Sequence, residues 1–243
     1  MKIVSPSYRR AGITKVQDYF GKYVTIAVHK FEEKEYRKAL PKGQSMLIIP
    51  DKLRGNLCHV RNWIKENCGD KHLIMCDDDL EYIGFVEKGR EILPDAEDTI
   101  EFLKDGFRMC EETGTVLWGL NVQCDLRFYR ARTPFSFTSV ILDPFTCQII
   151  DKEIKYSPDL VLKCDYDYFL QVIKKYRRVL RFNKWHYKVA HLTDIPGGCA
   201  TYRTIQAEKE TAERLVKKWG RDIVRFDFNR SVNPKIFVPI KGV

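Results

Sequence analysis

No apolar run in the 243-residue chain approaches the roughly 20 residues that a membrane-spanning helix needs. The opening residues, MKIVSPSYRR, contain too short an apolar stretch for the hydrophobic region of a secretory signal peptide. Internal repeats and low-complexity linkers are also missing. These absences exclude an integral membrane protein and predict a single domain, residues 1–243, that acts in the cytoplasm without a membrane partner.

Paired cysteine motifs are missing as well. The eight cysteines include no CxxC pair and no combination with histidine at the spacing of zinc ligands. A chain of this length does not need disulfide bonds to stabilise its core, so we expect reduced and mostly buried thiols. The eight are Cys58, Cys68, Cys76, Cys110, Cys124, Cys147, Cys164 and Cys199.

The composition is typical of a globular protein, with 44% hydrophobic residues, 12% aromatic residues and a mean hydropathy of -0.37. The 42 lysines and arginines against 33 aspartates and glutamates give a net charge of +9. Such a balance has two interpretations, a solvated surface that keeps the protein soluble or a polyanionic partner such as nucleic acid. Charge alone favours the solvated surface.

The first eighty residues alternate short apolar runs with turn-forming or helical stretches. The predicted strands are 2–8, 23–29, 45–51 and 72–79. A helix is predicted at 56–69, where Asn56 suits the N-cap and Gly69 suits the end. Continuously apolar strands separated by helices indicate an α/β fold whose mainly parallel sheet is covered on both faces.

The second half of the chain has a less regular pattern. Helical spacing of apolar residues predicts helices at 95–114, 166–176 and 205–220. The β-rich segments are 115–122, 136–145 and 177–191, followed by two short pieces near the end. We therefore expect an α/β fold with an antiparallel or irregular second half.

Three consecutive carboxylates, Asp77, Asp78 and Asp79, end the fourth predicted strand. Like charges side by side cost free energy unless a cation or hydrogen-bond donors compensate. In an extended chain Asp77 and Asp79 would project to one side and Asp78 to the other. Because ligands of open parallel sheets bind beyond the carboxyl ends of the strands, the pair suits Mg²⁺ or Mn²⁺ and a diphosphate-bearing substrate. The alternative is an acidic turn that caps the following helix.

Two later clusters also have the residue types of a functional site. Asp165 and Asp167 lie at the head of a predicted helix, where a carboxylate either accepts a proton from a hydroxyl or simply caps the helix. In HLTDIPGGCATYRT, Gly197 and Gly198 permit close approach of the backbone to a ligand, and Arg203 could reach a phosphate. An ordinary Pro-Gly-Gly turn is the alternative.

These motifs, in this order, resemble nucleotide-sugar glycosyltransferases of the type A fold. In that family an Asp-x-Asp motif at this position holds the metal on the donor diphosphate, which implies Asp77 and Asp79 as metal ligands and Asp78 beside the donor. The first strand of the family continues as hydrophobic-Pro-[Ser/Thr]-Tyr-x-Arg into the loop under the uridine, and Asp51 would touch the nucleoside. The residues that match this motif here are Pro6, Ser7, Tyr8 and Arg10. The resemblance implies a single type A domain that uses a UDP-sugar and Mn²⁺ or Mg²⁺.

The same resemblance assigns roles in the second half. Asp165 matches the general base of inverting enzymes, and Asp167 matches the following aspartate of their Glu-Asp-x-Asp motif. Cys164 stands where those enzymes have glutamate, which leaves an inverting and a retaining outcome both open. A late histidine often supplies a third metal contact in this fold, so His191 is the expected ligand and His186 a second candidate. A structural hydrogen bond is the alternative role for either histidine.

The implied division places nucleotide binding in residues 1–80 and acceptor binding in residues 115–243. Two stretches of the second part mix cations with aromatic residues, which fits either a nucleic-acid groove or an ordinary strand with one wet face. The first holds Arg127, Phe128, Tyr129, Arg130, Arg132 and Phe135, and the second holds Lys174, Lys175, Arg177, Arg178, Arg181, Lys184 and Trp185.

With the first-strand motif, the acidic pair and the Pro-Gly-Gly-x-x-x-Tyr-Arg cluster, the chain resembles the TET-associated glycosyltransferases, a largely phage-encoded group. This resemblance implies transfer of a sugar to hydroxymethylated pyrimidines, such as hydroxymethylcytosine, in double-stranded DNA in the host cytoplasm. A base within a duplex would have to be flipped out to react. Two alternatives stay open, a glycan or protein hydroxyl as acceptor and a non-enzymatic nucleic-acid-binding protein in which the carboxylates are caps.

Overall fold

The computed structural model describes residues 1–122, 129–190, 197–229 and 231–239. Strands and helices alternate through most of this range. The strands are β1 (Lys2–Pro6), β2 (Val24–His29), β3 (Met46–Ile49), β4 (His72–Cys76), β5 (Leu80–Glu87), β6 (Arg90–Ile92), β7 (Leu117–Asn121), β8 (Phe135–Ser136), β9 (Phe145–Ile149), β10 (Leu180–Val189), β11 (Val224–Arg225) and β12 (Lys235–Ile236). The α-helices are α1 (Val16–Phe20), α2 (Glu33–Ala39), α3 (Leu57–Asn67), α4 (Ala96–Glu112), α5 (Cys164–Tyr176) and α6 (Ile205–Trp219).

The first four strands form the parallel part of the main sheet, in the order β3, β2, β1, β4. Ile3 of β1 lies opposite Val24 on one side and Ile74 on the other. All six residues of β2 are buried, because both faces of this part of the sheet are covered. The parallel α/β arrangement predicted for this half is confirmed.

The remaining strands extend the same sheet with mixed directions, in the order β4, β9, β7, β10, β5, β6. β9 pairs antiparallel with β4 and β7, whereas β10 runs parallel to β7 and antiparallel to β5. The irregular second half is therefore also confirmed. The single strand predicted at 136–145 is wrong, because only Ser136, the last residue of β8, and Phe145, the first residue of β9, belong to strands in that range.

β5 and β6, which form a hairpin directly after the three aspartates, were not among the predicted strands. The turn between them consists of Lys88 and Gly89, both with positive φ, 49° and 76°. Tight hairpin turns need this conformation, and Asn-Gly or Asp-Gly is its usual sequence signal. Because Lys88 takes the place of the asparagine or aspartate, this signal is absent from the sequence, and the hairpin was not predicted.

Two hydrophobic cores lie on the two faces of the sheet. In β4, Ile74 belongs to one core and Leu73 to the other, as expected for alternating residues of a strand. The first core takes in α4, and the second takes in α3, α5 and α6. Asn56 caps α3, since its side chain accepts a hydrogen bond from the backbone N–H of Cys58 at 2.9 Å.

The seven cysteines within the described residues are free thiols, six of them buried, as expected. Cys124 lies outside the described residues. In the described part of the chain, no helix has the length and apolar character required to span a bilayer.

Candidate active site

A cavity of about 560 Å³ opens beyond the carboxyl ends of β1, β2, β3 and β4. This is where an open parallel sheet is expected to bind its ligand. The opposite wall comes from the segment before β9, the start of α5 and the segment that leads into α6. The residues predicted from the sequence that line this cavity are Pro6, Ser7, Tyr8, Arg10, Asp77, Asp78, Asp79, Asp165, Gly198 and Arg203.

The three aspartates lie on a turn between β4 and β5, because β4 already ends at Cys76. The strand alternation that places Asp78 away from its neighbours therefore does not apply, and all three carboxylates line the cavity. Asp78 Oδ1 accepts from Arg10 Nη1 at 2.7 Å, and its Oδ2 accepts from Ser7 Oγ at 2.5 Å. Asp78 thus joins the acidic turn to the loop after β1.

Asp77 lines the cavity beside Arg61 and the other two aspartates, and its side chain is 38% exposed. Desolvation by the cavity walls raises the pKa of Asp77 to about 7, and repulsion from Asp79 and Asp78 adds to the effect. Arg61, with Nη2 at 3.6 Å from Asp77 Oδ1, lowers this pKa only in part. Burial thus favours the neutral form of the Asp77 carboxyl group, whereas a bound cation would favour its charged form.

The carboxylates of Asp77 and Asp79 are hard oxygen donors that fit Mg²⁺ or Mn²⁺, and a divalent cation would relieve their repulsion. Such a cation typically takes one or two carboxylates and completes its shell with water and substrate phosphates. Within the described ranges, no three histidine, cysteine or carboxylate side chains converge to hold a metal by themselves. The expected third ligand, His191, lies outside the described residues. The residues present thus fit a cation whose coordination a phosphate substrate completes.

His186, the second histidine candidate, does not line the cavity. It is buried in β10, and its Nε2 lies 2.6 Å from Glu91 Oε1 in β6. The structure therefore gives His186 the hydrogen-bonded role that was the alternative for it.

An aromatic group lies where β2 and β3 end. The rings of Tyr8 and His29, which both line the cavity, meet edge to face with centroids 5.7 Å apart, and Phe31 packs 6.2 Å from Tyr8. Asp51 is not part of the cavity lining, and its Oδ1 accepts from the backbone N–H of Phe31 at 3.1 Å. Asp51 thus holds the Phe31 backbone in place beside this group.

Arg61 is a site residue that the motifs do not identify. It is buried in α3, pairs with Asp143 and contacts Cys164 Sγ at 3.2 Å. A signal does exist in the sequence: Arg61 lies four residues after Leu57 and three before Ile64, within the apolar stripe of the helix. An arginine in such a stripe is rarely buried without an anionic partner.

Asp165 lies half-buried in the first turn of α5 and lines the cavity. Burial raises its pKa, while a hydrogen bond from the backbone N–H of Tyr166 and the charges of Arg61 and Lys163 oppose the shift. A carboxylate with a raised pKa is a stronger proton acceptor.

Asp167 lies in a different environment, fully buried and outside the cavity lining. Lys218 Nζ lies 2.7 Å from its Oδ1, and Trp219 Nε1 donates to the same oxygen at 2.8 Å. Ser157 Oγ and Gln171 Nε2 donate to its other oxygen. These contacts tie α5 to the end of α6.

The glycine pair packs directly on the loop after β1. The backbone N–H of Gly198 donates to the carbonyl of Tyr8 at 2.9 Å. Gly197 does not line the cavity, but it has φ +124°, and a Cβ there would lie 2.6 Å from the same carbonyl oxygen. Only glycine fits this position, so the pair can pack closely against the loop after β1.

A buried ion pair forms the wall contributed by the C-terminal part of the chain. Lys163 Nζ lies 2.5 Å from Glu208 Oε2, and Arg203 Nε lies 3.1 Å from Glu208 Oε1. The three residues line the cavity. Glu208, like Arg61, is a charged residue inside an apolar helical stripe, here with Ala212 and Leu215.

The basic-aromatic stretch of α5 and β10 is largely occupied by contacts within the protein. Lys175 Nζ lies 2.6 Å from Asp151 Oδ2, and Trp185 stacks on Phe102 with ring centroids 3.7 Å apart. In the first basic-aromatic stretch, which contains Arg127 and Phe128, residues 127–128 lie outside the described ranges. The structure therefore does not present the second stretch as a free cationic groove.

The fold is similar to that of solved glycosyltransferases. A mannosyltransferase from Pyrobaculum calidifontis, PcManGT, in complex with GDP-Man and Mn²⁺, matches with a TM-score of 0.58 and 10% identity over 88% of this chain and 61% of that chain. S. aureus TarS 1-349, also solved in complex with UDP, matches with a TM-score of 0.49 and 12% identity over 89% of this chain and 66% of that chain. The chain thus spans less than two thirds of the length of these proteins. A comparison with curated proteins gave no match.

At such identities the structural likeness shows the fold alone, which is the type A fold that the sequence motifs implied. The family is shown by a different comparison. The sequence profile described as TET-Associated Glycosyltransferase matches residues 1–198, most of the chain and most of the cavity lining. The chain therefore belongs to the TET-associated glycosyltransferase family, as the sequence resemblance implied.

Proposed function

We propose that the protein is a metal-dependent glycosyltransferase that moves a sugar from a UDP-sugar to the hydroxyl of a hydroxymethylated pyrimidine in DNA. Membership of the family supports sugar transfer. One observation carries the proposal: the acidic turn, the loop after β1 and Asp165 line the same cavity, with Asp78 hydrogen-bonded across the first two. A donor site and a proton acceptor thus meet in one place.

The donor would lie on the side formed by the parallel strands. Asp77 and Asp79 would hold Mn²⁺ or Mg²⁺, which when bound stabilises the negative charge of the departing diphosphate. The loop with Pro6, Ser7 and Tyr8 would support the nucleoside. A nucleotide-sugar donor and Mn²⁺ are also what the PcManGT structure contains, which supports this assignment.

Asp165 is the proposed general base. As the acceptor oxygen attacks the anomeric carbon, the bond from that carbon to the diphosphate breaks and the hydroxyl proton passes to the Asp165 carboxylate. The raised pKa of Asp165 supports this role. Direct attack of this kind inverts the anomeric configuration, whereas a retaining mechanism would not need the base.

The acceptor is proposed on grounds that are separate from those for the donor. Modified DNA is suggested by the family and by the net charge of +9, and a cytoplasmic site of action stays a prediction from the sequence. The test is to incubate the protein with Mn²⁺, a panel of UDP-sugars and duplex DNA carrying hydroxymethylcytosine. A mass increase of the DNA by one sugar is expected. If the UDP-sugar is hydrolysed in a metal-dependent way but the mass of the DNA does not increase, the result would point to a glycan or protein acceptor instead.

The metal assignment has its own test. Asp79→Asn removes one proposed ligand, so transfer should fall by about 100-fold or more while the melting temperature stays unchanged. Mn²⁺-dependent binding of UDP, measured by calorimetry, should be lost as well. Asp105→Asn, an exposed carboxylate on α4, is the matched control and should behave as the unmodified protein. Unchanged turnover of Asp79→Asn would refute the assignment.

A further inference from the structure

The chain beyond the family match is unusually basic. The match ends at residue 198, and residues 199–243 contain ten lysines and arginines but five aspartates and glutamates. This short segment therefore carries +5 of the net charge of +9. A concentration of positive charge of this kind indicates a surface for a polyanion or a solvated tail, and contacts within the segment distinguish the two.

Two cations face each other on the ribbon formed by β11 and β12. Val224 is buried, and Ile236, opposite it, packs against the second core. The neighbouring pair, Arg225 opposite Lys235, therefore points outward together with Phe237. Like charges directly opposite each other in a ribbon are destabilising, and the described residues provide no ion pair to either cation. An anion bound between them would remove this repulsion.

Aromatic rings lie beside these cations. The Arg225 guanidinium lies 4.1 Å from the ring centroid of Phe237, whose side chain is 40% exposed. Lys209 of α6 lies over the ring of Phe228 at 6.0 Å. Cations that neutralise phosphates next to rings on which bases can stack are the combination used to bind nucleic-acid strands. Phe228 is half-buried and Phe237 is exposed, and a merely solvated tail would not need an exposed ring beside its cations.

The segment between the two strands reaches the candidate active site. Val232 and Asn233 line the cavity, and the side chain of Val232 is 42% exposed. Asn233 Oδ1 accepts from Lys163 Nζ at 3.4 Å, two residues before Asp165. The segment that connects the two strands of the ribbon therefore contacts the wall that carries the proposed base.

We propose that the outward side of the ribbon, formed by Arg225, Lys235 and Phe237, binds the nucleic-acid strand that presents the acceptor base to the cavity, together with the separate pair of Lys209 on α6 and Phe228 after β11. The identity of the acceptor rests on the proposed function, whereas the location of the surface rests on the contacts above. The cations contact phosphates, and the phenyl rings stack on bases that leave the duplex. An anionic glycan would use the cations but gain little from the rings.

The experiment is a binding titration of fluorescently labelled duplex DNA carrying hydroxymethylcytosine, by anisotropy at several salt concentrations. The variant Arg225→Ala/Lys235→Ala/Phe237→Ala should bind about tenfold or more weakly, and the slope of log affinity against log salt should become shallower by about 2 because two phosphate contacts are lost. Lys104→Ala/Arg108→Ala, two exposed cations on α4, is the matched control, and its affinity should stay within about twofold of the unmodified protein.

Three results would overturn the inference. In the first, the triple variant keeps its affinity for DNA. In the second, Lys174→Ala/Lys184→Ala, in the stretch around β10, loses as much affinity as the triple variant or more. In the third, inorganic polyphosphate competes as well as DNA and Phe237→Ala leaves the affinity unchanged, which would show a surface for any polyanion. If the triple variant melts early, the single change Lys235→Glu at an exposed position decides the same question. Hydrolysis of UDP-sugar by the unmodified protein is measured in parallel. If no hydrolysis occurs, the proposed enzymatic function is wrong, but the comparison of DNA binding between variants stays valid.

Discussion

Asp165 and Asp167 are two carboxylates of one helical turn with different surroundings. Asp165 lines the cavity and is half-buried, whereas Asp167 is fully buried and accepts hydrogen bonds from Lys218 and Trp219. Residues two apart in a helix point in different directions, so a motif that contains both cannot assign them the same role. We therefore propose a catalytic role for Asp165 and a structural role for Asp167.

Substitution separates these roles. Asp165→Asn should reduce transfer by about 100-fold or more and leave UDP binding and the free energy of unfolding nearly unchanged, because only the proton acceptor is removed. Asp167→Asn should lower the free energy of unfolding by about 2 kcal/mol, since the charge that compensates Lys218 is lost while that lysine keeps partial access to water. Single-turnover kinetics and urea unfolding measure the two effects. A near-normal rate for Asp165→Asn would exclude Asp165 as the base and would indicate a retaining mechanism, since Asp167 is buried outside the cavity lining.

At the scale of elements, two helices of the site, α3 and α6, present a charged residue within their apolar stripe. Arg61 of α3 pairs with Asp143, and Glu208 of α6 pairs with Lys163 at the start of α5. Both pairs line the cavity. The ion pairs therefore fix where these helices lie relative to the sheet and to each other.

The α6 pair has a measurable effect on stability. Glu208→Gln should lower the free energy of unfolding by about 3 kcal/mol, because it leaves the ammonium of Lys163 buried without a counter-charge. Glu210→Gln, on the exposed side of the same helix, should change it by less than about 0.5 kcal/mol. Urea unfolding at neutral pH makes the comparison. Equal effects of the two substitutions would mean that the buried pair does not hold α6.

At the scale of the whole molecule, one sheet joins the two halves of the chain. β4 of the parallel part pairs with β9 along five residues, from His72 opposite Ile149 to Cys76 opposite Phe145. The cavity lies where these two parts meet, so neither half contains a complete site. Beyond β9, Asp151 ties the sheet to the end of α5 through Lys175 and Tyr176.

This tie makes global stability depend on pH. Burial acts to raise the pKa of Asp151, but hydrogen bonds from Lys175, from the backbone N–H of Glu153 and from Tyr176 outweigh it and lower the pKa overall. A carboxyl whose pKa is lower in the folded state adds stability above its usual pKa of 3.8, and this stability is lost as the pH falls through the folded value.

Asp151→Asn should therefore be less stable than the unmodified protein by about 1 kcal/mol at pH 7, and the difference should disappear in strong acid. Urea unfolding at both pH values tests this. A difference that persists when all carboxyl groups are protonated would show that packing, not charge, causes it.

Local pattern determined much of this protein. The four parallel strands and α3 follow from apolar runs and from Asn56 as an N-cap, because such signals act within a few residues of each other, whereas α1 and α2 were not predicted. The motif after β1 and the three aspartates likewise predicted where a donor would bind, and they led to the family that the profile confirms. The predictions failed where the local signal was weak, at the Lys88-Gly89 hairpin and at 136–145.

Tertiary structure decided the other walls of the site. Arg61 meets Asp143 across 82 positions of the chain, and Lys163 meets Glu208 across 45. It also decided which acid of the α5 pair faces the cavity. A buried charge is stable only beside its counter-charge, and no local pattern specifies which distant residue supplies it. The sequence alone thus determined the fold class and the family and predicted which residues would bind a donor, whereas only the folded chain placed the groups that complete the cavity.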